Sequence, residues 1–170
     1  MTDLMGKITG GRNILETIAS KIPGFSGYME RETRRTADKL LRDTIVQRYE
    51  EQWGRVSELQ RQLIAEGQID LIDNLEAAAI KLRTFIDQVR TASYGYSGFF
   101  DAVKVNEDEL AKLYTFDNAL LDGVTRVGSA IDNVAASIGS DGLPAAIRNL
   151  TAIGQELNDT FAKRKEVLTA

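Results

Sequence analysis

Apolar positions recur every three or four residues along four long stretches of the chain, the period of a helix that buries one face. The cleanest stretch carries Leu110, Leu113, Asp117, Leu120, Val124, Val127, Ile131, Val134 and Ile138, a heptad-like seam with one acid in it. Ile72, Leu75, Ala79, Leu82, Ile86 and Val89 repeat that rhythm, and Ala146, Leu150, Ile153, Leu157, Phe161 and Leu168 form a looser stripe. An earlier helix is predicted over residues 29–66, roughly 57 Å long at 1.5 Å per residue. Its seam begins at Ile45 and passes through Tyr49, Gln52, Val56, Leu59 and Leu63. No stretch alternates with the period of two that marks a half-buried strand.

The boundaries agree with these periods. Asn106 and Glu109 have capping-box spacing, and Glu107 and Asp108 suit the positive end of a helix. Gly139-Ser140-Asp141-Gly142 reads as a turn, with Pro144 placed where a first helical turn needs no amide donor. Gly67 separates the first long helix from the second. Short connections predict antiparallel neighbours. The expected fold is therefore all-α, an elongated antiparallel up-down-up-down four-helix bundle, with a short amphipathic helix at 14–22 ahead of Pro23. Residues 1–170 read as one domain, with 1–10 as a tail. Gly54, Gly123, Gly128 and Gly154 fall inside helices at about 1 kcal/mol each relative to alanine. Gly123 and Gly128, with Ala130, Ala135 and Ala136 nearby, point to close helix contact. An unpaired carboxylate at a seam position is expensive, so Asp117 is expected to pair with an arginine or a tyrosine, or to turn toward water.

Composition removes whole classes of chemistry. The 170 residues include neither cysteine nor histidine. This excludes disulfides, thiolate nucleophiles, Ser-His-Asp triads and His-ligated metals, including the Glu-x-x-His di-iron sites of other bundles. No catalytic, cofactor-binding or metal-binding residue is assigned. An enzyme using carboxylates and tyrosines alone is disfavoured, since no carboxylate pair stands out from ordinary helix surface. A net charge of −4 gives no global attraction to nucleic acid or anionic membrane. The start of the chain lacks the apolar core of a secretory signal, and the longest strongly apolar run is 77–80, so the expected location is cytoplasmic.

Two features remain for recognition. Glu30 to Thr36 contains no apolar residue, and helical spacing sets Arg31, Arg35, Lys39 and Arg42 along one face, with Arg34 beside them. Such a face suits phosphate, carboxylate or an acidic protein surface, although a solvated helix end laced by pairs such as Glu30–Arg34 explains the same residues. The interleaved acids argue against a nucleic-acid stripe. The second feature is an echo: residues 24–28 read Gly-Phe-Ser-Gly-Tyr and residues 95–99 read Gly-Tyr-Ser-Gly-Phe. Phe25, Tyr28, Tyr96, Phe99 and Phe100 would form a recognition patch if the two loops met, or would plug the open end of the bundle.

Residues 23–43, PGFSGYMERETRRTADKLLRD, resemble a motif of uncharacterised bacterial all-helical proteins, in which a proline–glycine–aromatic turn leads into an arginine-rich helix. Residues 97–117 are similar to a second block of the same proteins. Together the two blocks cover about a quarter of the chain. The resemblance implies a helical fold and a single functional unit built from both aromatic loops. It carries over no catalytic or binding residue.

The leading expectation is thus a non-enzymatic interaction or scaffold protein. It would hold a protein partner through the 24–42 face and the 95–101 loop, and self-associate through its long first helix. The alternative is a peripheral binder of anionic lipid or a phosphate-bearing ligand, using Arg31, Arg34, Arg35 and Lys39.

Overall fold

A computed structural model describes residues 14–25, 34–92 and 107–169, and every regular element among them is helical. A short helix α1 spans 14–21. It is followed by α2 (Arg34–Ala65), a 3-10 turn (Ile69–Leu71), α3 (Ile72–Thr91), α4 (Glu107–Ser137) and α5 (Leu143–Thr169). The expected starts at Met29 and at the Asn106 cap lie outside the described residues.

The predicted turns have clear causes. At the end of α2, Gly67 takes a φ of +74°, the Gln68 amide donates to the Leu63 carbonyl at 2.9 Å and the Gly67 amide to Ile64 at 3.1 Å. That pairing is a Schellman closure, which needs a residue free to adopt positive φ. Between α4 and α5 Gly139 also takes positive φ, +84°, and the Ser140 amide donates to the Ser137 carbonyl at 3.0 Å. Pro144 then sits second in α5, where its missing amide costs nothing.

α2 packs on α3, α3 on α5, α5 on α4, and α4 on α2. Across the α2–α3 contact the pairs run in opposite senses: Gln60 donates to Glu76, Trp53 lies under Arg83, and Glu50 meets Arg90. The α4–α5 pair is antiparallel as well, since Asp117 meets Arg164, Gly123 faces Leu157 and Arg126 meets Glu156. The other two contacts are not. Tyr49 bonds Leu120 and Arg55 meets Asp132, so α2 and α4 run the same way. Lys81 lies against Gly154 and Phe85 against Phe161, so α3 and α5 do too.

This corrects the expectation that spatial neighbours are all antiparallel. Consecutive helices alternate in direction, but α3 and α4 stand at opposite corners rather than side by side. Residues 93–106 join them, and 14 residues reach about 45 Å when extended, ample for a diagonal. A short turn would have forced adjacency.

The seams meet in the middle as the periods require. Leu75, Leu82, Ile86, Leu120, Val127, Val134, Leu150, Val56 and Leu63 are all buried. At mid-height the Tyr49 ring meets Phe85 edge-on at 4.8 Å, and Phe85 meets Phe161 at 6.2 Å. The Tyr49 hydroxyl donates to the Leu120 carbonyl. Burial pushes the Tyr49 phenol well above its ordinary range; Arg126 pulls it down and Asp122 pushes it up, both by less. The native state keeps this proton where the unfolded chain loses it, near pH 10. Its contribution to stability is therefore whole below about pH 10 and is lost as pH rises further. Denaturant titrations on either side of pH 10 should show that decline, and Tyr49→Phe should flatten it.

Candidate functional site

The core changes character at one end. Near the start of α2, the end of α3, the start of α4 and the end of α5, three charged side chains enter the interior: Arg42 at 6% exposure, Asp117 at 1% and Arg164 at 1%. Every other buried side chain among the described residues is hydrophobic. Arg42 sits three residues before Ile45 and continues the α2 seam. Arg164 fills the gap between Phe161 and Leu168 in the α5 stripe. All three are thus core positions by period, occupied by charge.

Asp117 and Arg164 form a two-pronged pair. Arg164 Nε donates to Asp117 Oδ1 at 2.7 Å and Nη2 to Oδ2 at 3.2 Å. The planar fork of a guanidinium matches a carboxylate in this way, and ion pairs out of water hold their geometry tightly. The expectation that Asp117 pairs with an arginine or tyrosine is met by Arg164, from the antiparallel neighbour. With both oxygens held, the carboxylate serves as a structural tie.

Helix α1 delivers the chain to this same end. Ile18, Ile22 and Phe25, spaced 4 and 3, are buried to 0%, 3% and 1% exposure against α2 and α4. Lys21 Nζ donates to Asn118 Oδ1 at 2.5 Å and Asp122 Oδ1 at 2.6 Å, and Arg48 Nη2 caps the Lys21 carbonyl at 2.6 Å. The segment therefore packs on the bundle, as its weakly charged polar face predicts. The Phe25 ring meets Tyr114 edge-on at 6.2 Å.

These placements revise the predicted recognition face. Phe25 is a plug within the core, and Arg42 turns inward, so neither presents its side chain to a partner. Lys39, one turn before Arg42, is exposed. Arg34 and Arg35 open α2. Tyr28, Arg31, Tyr96, Phe99 and Phe100 lie outside the described residues, as does the question of whether the two glycine–aromatic loops meet.

Arg164 is not among the candidate residues that the sequence points to, although the α5 stripe carries a signal for it. The α5 stripe has a seven-residue hole, and a helix that keeps its phase must put something at position 164.

Among the described residues no three acidic side chains converge in a way that would hold a metal ion, and no helix is long and apolar enough to cross a membrane. Comparison of the chain with family models, with curated proteins and with solved structures finds no match.

Proposed function

We propose that this chain is a non-enzymatic helical interaction or scaffold protein of the cytoplasm. It holds a protein partner at the end of the bundle where α2 begins, across residues 24–42 and 95–101. The observation that supports this reading is the charged core layer. Removing Asp117, Arg164 and Arg42 from water is costly, and an apolar layer would serve stability as well or better. What buried charge supplies instead is a unique arrangement of the elements that meet there, as polar seam residues do in coiled coils. A recognition surface needs that rigidity beneath it. The arginine-rich opening of α2 and the exposed Lys39 stand over this layer.

The lipid- or phosphate-binding alternative draws on the same opening. The burial of Arg42 takes one cation from the 24–42 face and does not involve the alternative's Arg31, Arg34, Arg35 and Lys39, so it does not choose between the two readings.

Crosslinking mass spectrometry on the native protein tests the proposal. Lys39 should yield crosslinks to a second polypeptide, and Lys39→Glu should lower that partner's recovery several-fold. Lys21, whose amine is held by Asn118 and Asp122, should react poorly. Crosslinks confined to Lys81, on the α3–α5 face, would move the interface elsewhere. Salt-sensitive flotation with anionic vesicles, lost on Arg35→Glu, would favour the lipid reading.

A further inference from the structure

On the face away from α1, the parallel helices α3 and α5 come close where Gly154 faces Lys81. A Cβ on Gly154 would stand 2.9 Å from the Lys81 Cβ, and Asn158 Nδ2 donates across to the Lys81 carbonyl at 3.0 Å. On the N-terminal side of that contact a groove of ≈ 590 Å³ opens between the helices, running from Asn74 to Lys81 on one side and from Pro144 to Gln155 on the other.

We propose that this groove docks an amphipathic helix of a protein partner whose flanks are acidic. Three observations carry it. Ala77, Ile147 and Ala152 give an apolar floor, and the twelve residues from Pro144 to Gln155 on α5 rise about 16 Å, three turns of a docked helix. That length takes anchors at i, i+4 and i+7, the pattern by which helices enter grooves. The charge is one-sided: Lys81 and Arg148 line the groove and no acid does, in a chain whose acids outnumber its bases 25 to 21. Arg148 makes no ion pair among the described residues, and Lys81 bonds only the neutral Gln155. Finally, the fold already holds a helix in its other parallel groove. α1 lies between α2 and α4 with Ile18 inserted, and Ile22 and Phe25 follow it into the core just past its end. The α3–α5 groove is a second such seat, without an occupant from the described chain. It is separate from the end face at 24–42.

The test uses the full chain and a fluorescent synthetic peptide helix with leucines at i, i+4 and i+7 and glutamates on both flanks. A counterpart carries lysines for the glutamates. Fluorescence anisotropy should show binding of the acidic peptide, weakened about tenfold or more by Arg148→Glu and by the groove-filling Ala152→Phe. Both positions are exposed, so the fold is retained, which circular dichroism checks. Equal binding of the two peptides, or indifference to both substitutions, overturns the proposal. So does self-association in sedimentation that Ala152→Phe abolishes, which would make the occupant a second copy. Binding of dodecanoate without the peptide, lost in the same variant, would overturn it in favour of a small anionic amphiphile.

Discussion

Asp117→Ala should destabilise the protein by about 3–5 kcal/mol, because it leaves the Arg164 guanidinium in the core without its carboxylate. Both side chains are 1% exposed, so water is poorly placed to substitute for the lost partner. Arg164→Met should cost less than the aspartate deletion if its thioether fills the space, although Asp117 then loses its fork. The informative variant is the double one. Asp117→Leu with Arg164→Met replaces the pair by apolar groups of similar volume, and such exchanges are commonly neutral or stabilising. Urea denaturation of the two single variants and the double variant gives the coupling directly. A double variant that is at least as stable as the parent would show that the pair contributes specificity rather than stability. Partner recovery through Lys39 should then fall, since the end layer no longer holds one arrangement. Single variants within about 0.5 kcal/mol of the parent, the range of ordinary surface substitutions, would mean that solvent reaches the layer, and the rigid platform would be lost with it.

The helices themselves were legible because their seams are long and their stops are chemically distinct. Leu75 through Val89 and Leu113 through Val134 kept their predicted phase, with Val124 half-buried where a straight helix drifts from the heptad. Gly67 and Gly139 marked ends that only positive φ allows. The order of helices around the bundle was a different matter. Periodicity says which face is buried and is silent on which helix covers it. Connections of five or six residues enforce antiparallel neighbours, whereas the 93–106 connection fits either an edge or a diagonal. The candidate site was legible by half. Asp117 announced itself as an acid in an apolar seam. Arginine is seldom buried, so Arg42 reads as part of an exposed basic face, yet its phase, three residues from Ile45, takes it into the core. Phe25 shows the reverse case, an aromatic in a glycine-rich stretch taken into the core by the same α1 anchors that hold Ile18 and Ile22.

The tightest helix contact yields the second large effect. Gly123→Ala adds a methyl group that would overlap the Tyr49 hydroxyl and stand 2.9 Å from Leu157 Cδ2. The leucine tip can rotate away. The tyrosine is less able to, since its ring is packed edge-on against Phe85 and its hydroxyl is bonded to Leu120. Overpacking of this kind costs about 1–3 kcal/mol. A hydrogen bond broken in the process adds about 1 kcal/mol. Against these stands a gain of about 1 kcal/mol from replacing a mid-helix glycine. The net expectation is a loss of about 2 kcal/mol, or a fall in Tm of some 4–8 °C by the scaling for a chain of this size. Tyr49→Phe alone should lose about 1 kcal/mol with its hydrogen bond. Combined with Gly123→Ala it removes the oxygen that the methyl strikes, so the double variant should be more stable than Gly123→Ala by itself. That inversion belongs to the clash alone; additive losses in the double variant would show that α2 and α4 do not approach as closely as Gly123 requires.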